Sequence, residues 1–236
     1  VIYVGIDDTD VPDAPGTNQF ARALAGHLAD RYPCALIVRH QLLQDPRVPC
    51  TSKNSAASML LTPPEGAALE PLIEKLGALL RKGFVEGSDP GLCVAAAVPE
   101  AIELFADRCR RELVNQREAR RLAGQYGVYL EGFGGTEDGV IGALAAAGLA
   151  ARGNDGRVVQ IGAWPDDLAG PQDVQTLRGR GVKVLCLETG AAIRTGTVDV
   201  GKHLRPNYRQ HEVVLFTRPT SGGCDGTSCW SAVRLT

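Results

Sequence analysis

The chain of 236 residues carries 25 basic and 27 acidic side chains and is 44% hydrophobic, enough apolar content to bury a core in one large or two small domains. So even a charge balance argues against a dedicated nucleic-acid binder, which usually shows a basic excess that displaces counterions from phosphates. The longest apolar run, residues 140–151, is interrupted by Gly142 and Gly148 and is too short to cross a bilayer, so no membrane partner and a cytoplasmic location are expected.

The chain opens with VIYVGIDDTDVPDAPGT. A β-branched run, Val1, Ile2, Val4 and Ile6 around Tyr3, predicts a buried strand that stops at Asp7, Asp8 and Asp10 with Thr9 between them. Carboxylates this close repel one another by about 1 kcal/mol or more per pair and need a cation, a helix N-terminus or backbone donors nearby. Mg²⁺ bound to a phosphate ester meets that need, since it takes one or two carboxylates plus phosphate oxygens and water. Pro15-Gly16 predicts a turn, and Thr17 an N-cap for a helix near residues 18–30, which sets a hydroxyl at an anion-attracting helix N-terminus. The plain alternative is an Asp-rich turn with a capping threonine.

A second strand is expected at 35–38. His40 to Asn54, HQLLQDPRVPCTSKN, then reads as a polar loop stiffened by Pro46 and Pro49, whose Arg47, Thr51, Ser52, Lys53 and Asn54 suit phosphate oxygens. A strand at 58–61 and a leucine-periodic helix at 65–81 follow. SDPG at 88–91 is a turn into an apolar strand, 92–98, buried on both faces. Two helices are expected at 99–113 and 115–124. The run of Arg108, Arg110, Arg111, Arg117, Arg120 and Arg121 reads as a solvated face in preference to an RNA site.

After a strand at 126–131 comes GFGGTEDGVIGALAAAGLA, residues 132–150. Gly132, Gly134 and Gly135 form a loop whose backbone can approach a ligand, Thr136 can cap, and residues 140–148 make a small-residue helix that packs closely. The loop lacks the lysine and spacing of a Walker motif and is not a GxGxxG fingerprint. A strand at 157–162 ends at a Pro/Asp/Gly-rich junction, 164–170. Beyond it a helix at 171–180 and strands at 182–187, 211–217 and 230–235 predict a smaller α/β or mostly β unit. The seven cysteines, an odd number without metal-ligand spacing, fit a reducing compartment; Cys224 and Cys229 are expected as free thiols in a loop. The fold class is therefore α/β (α+β), a layered mixed sheet with flanking helices, divided at 1–165 and 166–236.

Four ordered motifs carry a resemblance. GIDDTD followed by a turn, a threonine and a helix resembles the opening of the archaeal agmatidine synthetase family, which modifies a cytidine of isoleucine tRNA. DPRVPCTSKN (45–54), SDPGLCV (88–94) and DGVIGALAAAG (138–148) are similar to that family's proline-framed basic loop, NPG turn and glycine-led helix. The resemblance spans about residues 1–165 and implies a kinase-like domain that uses ATP and Mg²⁺ to phosphorylate its own threonine and the cytosine carbonyl oxygen. It puts Asp7, Asp8 and Asp10 on the metal and nucleotide, and beside them the residues themselves offer Thr9 and the loop and helix start at Gly134, Gly135, Thr136, Asp138 and Gly139 as expected nucleotide contacts. Thr17, Asp8 and Lys53 become the catalytic set, and the tail corresponds to the family's ferredoxin-like part. The chain departs from the family at Asn54-Ser55-Ala56 and Gly16-Thr17, and its sequence shows no counterpart of the family's OB-fold and zinc ribbon. The expected reaction is phosphoryl transfer to a carbonyl or hydroxyl of a small-molecule or nucleotide-like substrate. The alternatives are a non-catalytic nucleotide-binding subunit and a tRNA-modifying enzyme with a separate RNA-binding partner.

Overall fold

A computed structural model describes residues 1–11, 14–48, 50, 53–164, 167–220 and 229–235. The readings that rest on Pro49, Thr51, Ser52, Cys224 and the first part of the 164–170 junction at Pro165 and Asp166 lie outside them.

The opening strand forms as its sequence demands. In β1 (Ile2–Asp7), Ile2, Val4 and Ile6 are buried and point to one face, where they meet Leu24 and Leu28 of α1 (Thr17–Leu28) and Leu72, Leu76 and Leu80 of α2 (Leu69–Gly83). The opposite face is covered by α3 (Glu100–Arg108), α4 (Gln116–Tyr126) and α5 (Gly139–Arg152). Helices on both faces of one sheet make three layers.

The sheet is mixed and mostly antiparallel. β1 lies between β3 (Ser55–Leu61) and β4 (Gly91–Ala95), both antiparallel to it. β3 continues to β2 (Cys34–Gln41), β2 to β6 (Arg157–Ile161), and β4 to β5 (Tyr129–Gly132). Alternating strands and helices invite a parallel reading. Here the helix after β1 crosses to β2, one strand beyond the neighbour, and β3 returns antiparallel between them. β4 is buried along its whole length, as its apolar run predicts.

The remaining strands extend the same sheet. Beyond β6 come β10 (Asn207–Arg209), β11 (Glu212–Pro219), β12 (Cys229–Ala232), β9 (Thr197–Asp199) and β7 (Pro171–Asp173), and β8 (Val182–Cys186) pairs with β11. The residues expected to start a helix at Pro171 form β7 first, and α6 (Val174–Gly179) begins after Asp173, whose carboxylate accepts from the Gln175 and Thr176 N–H groups. α3 stops at Arg108 rather than at Leu113. Cys229 is disulfide-bonded, which corrects the expectation of a free thiol there. Among the described residues no helix is long and apolar enough to cross a membrane.

α5 can lie against the sheet only because its contact positions lack side chains. A Cβ on Gly5 would sit 1.9 Å from the Ala143 carbonyl oxygen, and one on Gly91 would sit 2.2 Å from the backbone of Gly139. No atom pair tolerates such distances, so glycine at these points sets how near helix and strands approach.

Candidate active site

The register of the sheet gathers several strand ends at one edge. Asp7 at the end of β1 faces Gly91 at the start of β4, Gln41 at the end of β2 faces Ser55 at the start of β3, and Arg39 faces Arg157 at the start of β6. With the N-termini of α1 and α5 and the 42–54 loop, these ends enclose a cleft of about 1180 Å³. Of the residues expected to form a site, Asp7, Asp8, Asp10, Thr17, Lys53, Thr136, Asp138 and Gly139 line it. Thr9, Gly134 and Gly135 do not: Thr9 is buried beside the turn, its hydroxyl without a partner.

The acidic wall is denser than the opening motif suggests. Asp8 leaves the strand in the left-handed region, with φ at 50°, a conformation that non-glycine residues hold at a cost and that is concentrated at functional sites. Burial, then the charge of Asp8, pushes the Asp7 carboxyl up to about 7. Burial again, then Asp89, Asp10 and Asp138, pushes Asp8 up to about 6. Thus carboxylates from the β1 end, the turn before β4 and the start of α5 share one field, which adds to burial in raising Asp7 and Asp8. A Cβ at Gly142 would lie 1.7 Å from Asp7 Oδ2, so that glycine makes the space the carboxylate occupies.

Thr17 does not cap α1. Gly16 is the N-cap, and the Thr17 hydroxyl donates to Asp10 Oδ1 at 3.0 Å. Thr136 likewise does not cap α5. Its N–H and hydroxyl donate to the two Asp89 oxygens at 2.8 and 2.6 Å, and Asp138 takes the cap position. Asp89 therefore fixes the glycine-rich loop, and Gly135, with φ at 56°, gives it room: a Cβ there would be 1.4 Å from Asp89 Oδ1. Among the described residues no group of three or more His, Cys, Asp or Glu side chains is arranged to hold a metal ion by itself.

The opposite wall is basic. Arg39, Arg110, Arg117 and Arg157 line the cleft with Arg47 and Lys53. Arg47 is engaged by Asp45 at 2.8 Å, whereas Lys53 stands exposed at the rim. The base of the 42–54 loop is tied by Gln41 and Asn54, whose amides donate to the Asn54 and Leu43 carbonyls at 2.6 and 2.8 Å. Most of the arginine run is held locally, with Arg108 on Glu112 and Glu118, Arg111 on Asp107 and Arg120 on Glu137, in accord with a solvated face.

His40, expected in a loop, is instead the penultimate residue of β2 and completely buried. Its Nδ1 lies 3.1 Å from Asp155 Oδ1 and its Nε2 2.9 Å from Ser58 Oγ. Burial raises the Asp155 carboxyl, but the hydrogen bond and charge of His40, with Arg110 and Arg209, outweigh it and hold the group below the usual range. Ser58 is sealed in the core, so this Ser–His–Asp row braces the cleft wall and offers no accessible nucleophile. Asp89, Asp155 and Arg157 escaped the sequence reading. SDPG signals a turn, and nothing local shows that its aspartate meets a loop 47 residues later.

Several solved structures share this fold. A tRNA fluorescent labeling enzyme aligns at TM-score 0.55 and 23% identity, over 62% of this chain and 35% of that one. TiaS in complex with tRNA(Ile2) and ATP aligns at TM-score 0.53 and 24% identity, over 62% of this chain and 36% of that one. Apo TiaS, a tRNAIle2 agmatidine synthetase, aligns at 0.52 and 23%, over 62% and 35%. This chain thus spans little more than a third of the length of these structures, and the likeness is one of fold. No family model matches the sequence, and no curated protein matches it.

Proposed function

We propose that the chain is an ATP- and Mg²⁺-dependent enzyme that activates a carbonyl or hydroxyl group by phosphoryl transfer. The observation that carries this reading is the Thr17 hydroxyl, hydrogen-bonded to Asp10 in the same cleft as the uncompensated carboxylates of Asp7 and Asp8. The donor set fits Mg²⁺: hard carboxylate oxygens whose affinity for protons is raised by burial and by neighbouring acids, and an ion that needs only one or two of them beside phosphate oxygens and water. Asp7 and Asp8, with Asp10 behind Thr17, are the residues that would hold it, and the ion would neutralise phosphate charge. Asp10 aligns the Thr17 Oγ1 and is placed to accept its proton when that oxygen attacks a phosphorus atom. Lys53 supplies positive charge from the rim, and the start of α5 at Asp138 and Gly139 turns its helix N-terminus toward phosphate oxygens, while Thr136, held by Asp89, fixes the loop in front of it. Thr9, Gly134 and Gly135 support the two turns from behind.

The fold likeness supports a second, compatible reading in which the acceptor belongs to a tRNA. The solved neighbours include TiaS with tRNA(Ile2) and ATP and with tRNA(Ile2), AMPCPP and agmatine. A small-molecule acceptor is the other case. Incubation with ATP and Mg²⁺ followed by mass spectrometry tests the shared chemistry: phosphate on Thr17 and release of ADP are expected from the wild type. Asp8→Asn should lower ATP turnover by about a hundredfold or more while leaving the circular dichroism spectrum unchanged. Equal turnover by the folded variant would overturn the assignment.

A further inference from the structure

The basic wall contains a pairing that strand stability alone does not explain. Arg39 of β2 and Arg157 of β6 are direct cross-strand partners, so their side chains leave the same face of the sheet, and both line the cleft. Like charges directly opposite each other destabilise a strand pair. Arg39 donates to Gln41 Oε1 at 3.1 Å, a neutral partner, and Arg157 Nε is buried with no hydrogen-bond partner. Among the described residues neither guanidinium is in an ion pair with a carboxylate. The cluster extends outward, since Arg234 and Arg205 also bear on Arg157. Burial, then the repulsion within the cluster, lowers the proton affinity of both Arg39 and Arg157.

A buried guanidinium N–H without an acceptor is costly, and two guanidiniums side by side cost more. An anion of tetrahedral geometry relieves both, because each planar fork can donate two parallel N–H···O bonds. Asp7, Asp8, Asp10, Asp89 and Asp138 lie at the end of β1, the turn before β4 and the start of α5, whereas the two acids nearer the arginines, Asp155 and Glu112, are engaged by His40 and Arg110 and by Arg108.

The geometry points to Arg39 and Arg157 as a subsite for a phosphate group carried by the acceptor substrate, across the cleft from the carboxylates. This deepens the phosphoryl-transfer reading and rests on it for the word acceptor. The anion site itself stands on the arginine pair alone. The substrate class is then a phosphorylated molecule: a phosphate monoester such as a nucleoside monophosphate, or the phosphodiester backbone next to the reacting nucleotide of an RNA.

Fluorescence titration of the full chain with inorganic phosphate, CMP and a short single-stranded oligoribonucleotide tests this, each with and without a saturating non-hydrolysable ATP analogue and Mg²⁺. The expected result is phosphate binding that persists with the analogue present and weakens at least tenfold in Arg39→Gln and in Arg157→Gln. The affinity for the analogue should stay within threefold. Arg39→Gln should also raise the melting temperature of the ligand-free chain by relieving repulsion, which a merely structural arginine would not do. Preference for CMP identifies a monoester, and preference for the oligonucleotide with a steep salt dependence identifies an RNA backbone. Failure of the wild type to bind any of the three overturns the subsite. So does an equal loss of analogue affinity in both variants, which would assign the pair to ATP. Failure of the analogue to bind, with phosphate binding intact and arginine-dependent, leaves the subsite standing and removes the phosphoryl-transfer reading.

Discussion

Replacing Asp7 by Asn should make the ligand-free protein more stable and the site inactive. The Asp7 carboxyl titrates near 7 in the fold against 3.8 as the ordinary value. The folded state therefore holds more protons than the unfolded state between those values. By linkage, stability falls as pH rises through that window and levels off above it. The difference between these two values corresponds to a ceiling of about 4 kcal/mol at pH 8. Asn keeps the volume and an acceptor for the Asp8 N–H but introduces an amide N–H₂ group against Gly142, and a buried donor without a partner costs about 1–3 kcal/mol. Charge removal wins, with a net gain of about 2 kcal/mol expected at pH 8. Urea unfolding of both proteins from about pH 4 to 8 reads this directly. The two curves should cross: at the acid end, where Asp7 is neutral, the variant carries only the amide cost of about 2 kcal/mol, and at pH 8 it is the more stable by about 2 kcal/mol. Asp8, also raised, to about 6, leaves a residual slope in the variant. Addition of Mg²⁺ and ATP at a hundred times the dissociation constant should stabilise wild type by about 2.7 kcal/mol and the variant by nothing. A variant that is less stable than wild type at pH 8, with parallel pH curves, would refute the claim that Asp7 is a buried charge awaiting a cation.

Gly142→Ala would thrust a methyl group to within 1.7 Å of Asp7 Oδ2, so a loss of about 1–3 kcal/mol in urea unfolding and a loss of ATP binding by calorimetry are expected together. Lys53 is exposed and carries no fold, so Lys53→Ala should leave the melting temperature unchanged while weakening ATP about tenfold, the equivalent of about 1.4 kcal/mol. Asp155→Asn removes the charge that faces both His40 and Arg110 at 3.1 Å and should cost about 3 kcal/mol at neutral pH. Because the Asp155 carboxyl is held below its ordinary value, that contribution is fully present above the unfolded pKa and disappears as pH falls through the folded one. The variant and wild type should therefore approach each other in unfolding experiments at strongly acid pH.

The contrast between Asp7 and Asp89 shows what a sequence of this kind discloses. Asp7 is legible because its neighbours form a pattern: a β-branched strand running into three acids has few readings, and the alternation of Ile2, Val4 and Ile6 already says which face is buried. Asp89 acts through Thr136, across 47 residues, and a turn motif carries no record of such a partner. His40 failed for a different reason. A polar residue between two prolines and a strand reads as loop, but here it extends β2 because Asp155 and Ser58 satisfy both ring nitrogens inside the core, a tertiary compensation invisible to local propensity. Antiparallel order has no local signal either, since helices between strands suggest parallel crossovers while β3 returns antiparallel between β1 and β2. Glycines make the connection between these levels. Gly5, Gly91, Gly139 and Gly142 look like loose, small-residue sequence, yet each removes a side chain where α5 meets the sheet or the Asp7 carboxylate. The same absence that lets the helix approach also makes the buried place of the Asp7 carboxyl, where burial and then the charge of Asp8 raise its affinity for protons. Fold and site are therefore specified by one set of positions, and a methyl group added at Gly142 should disturb both at once.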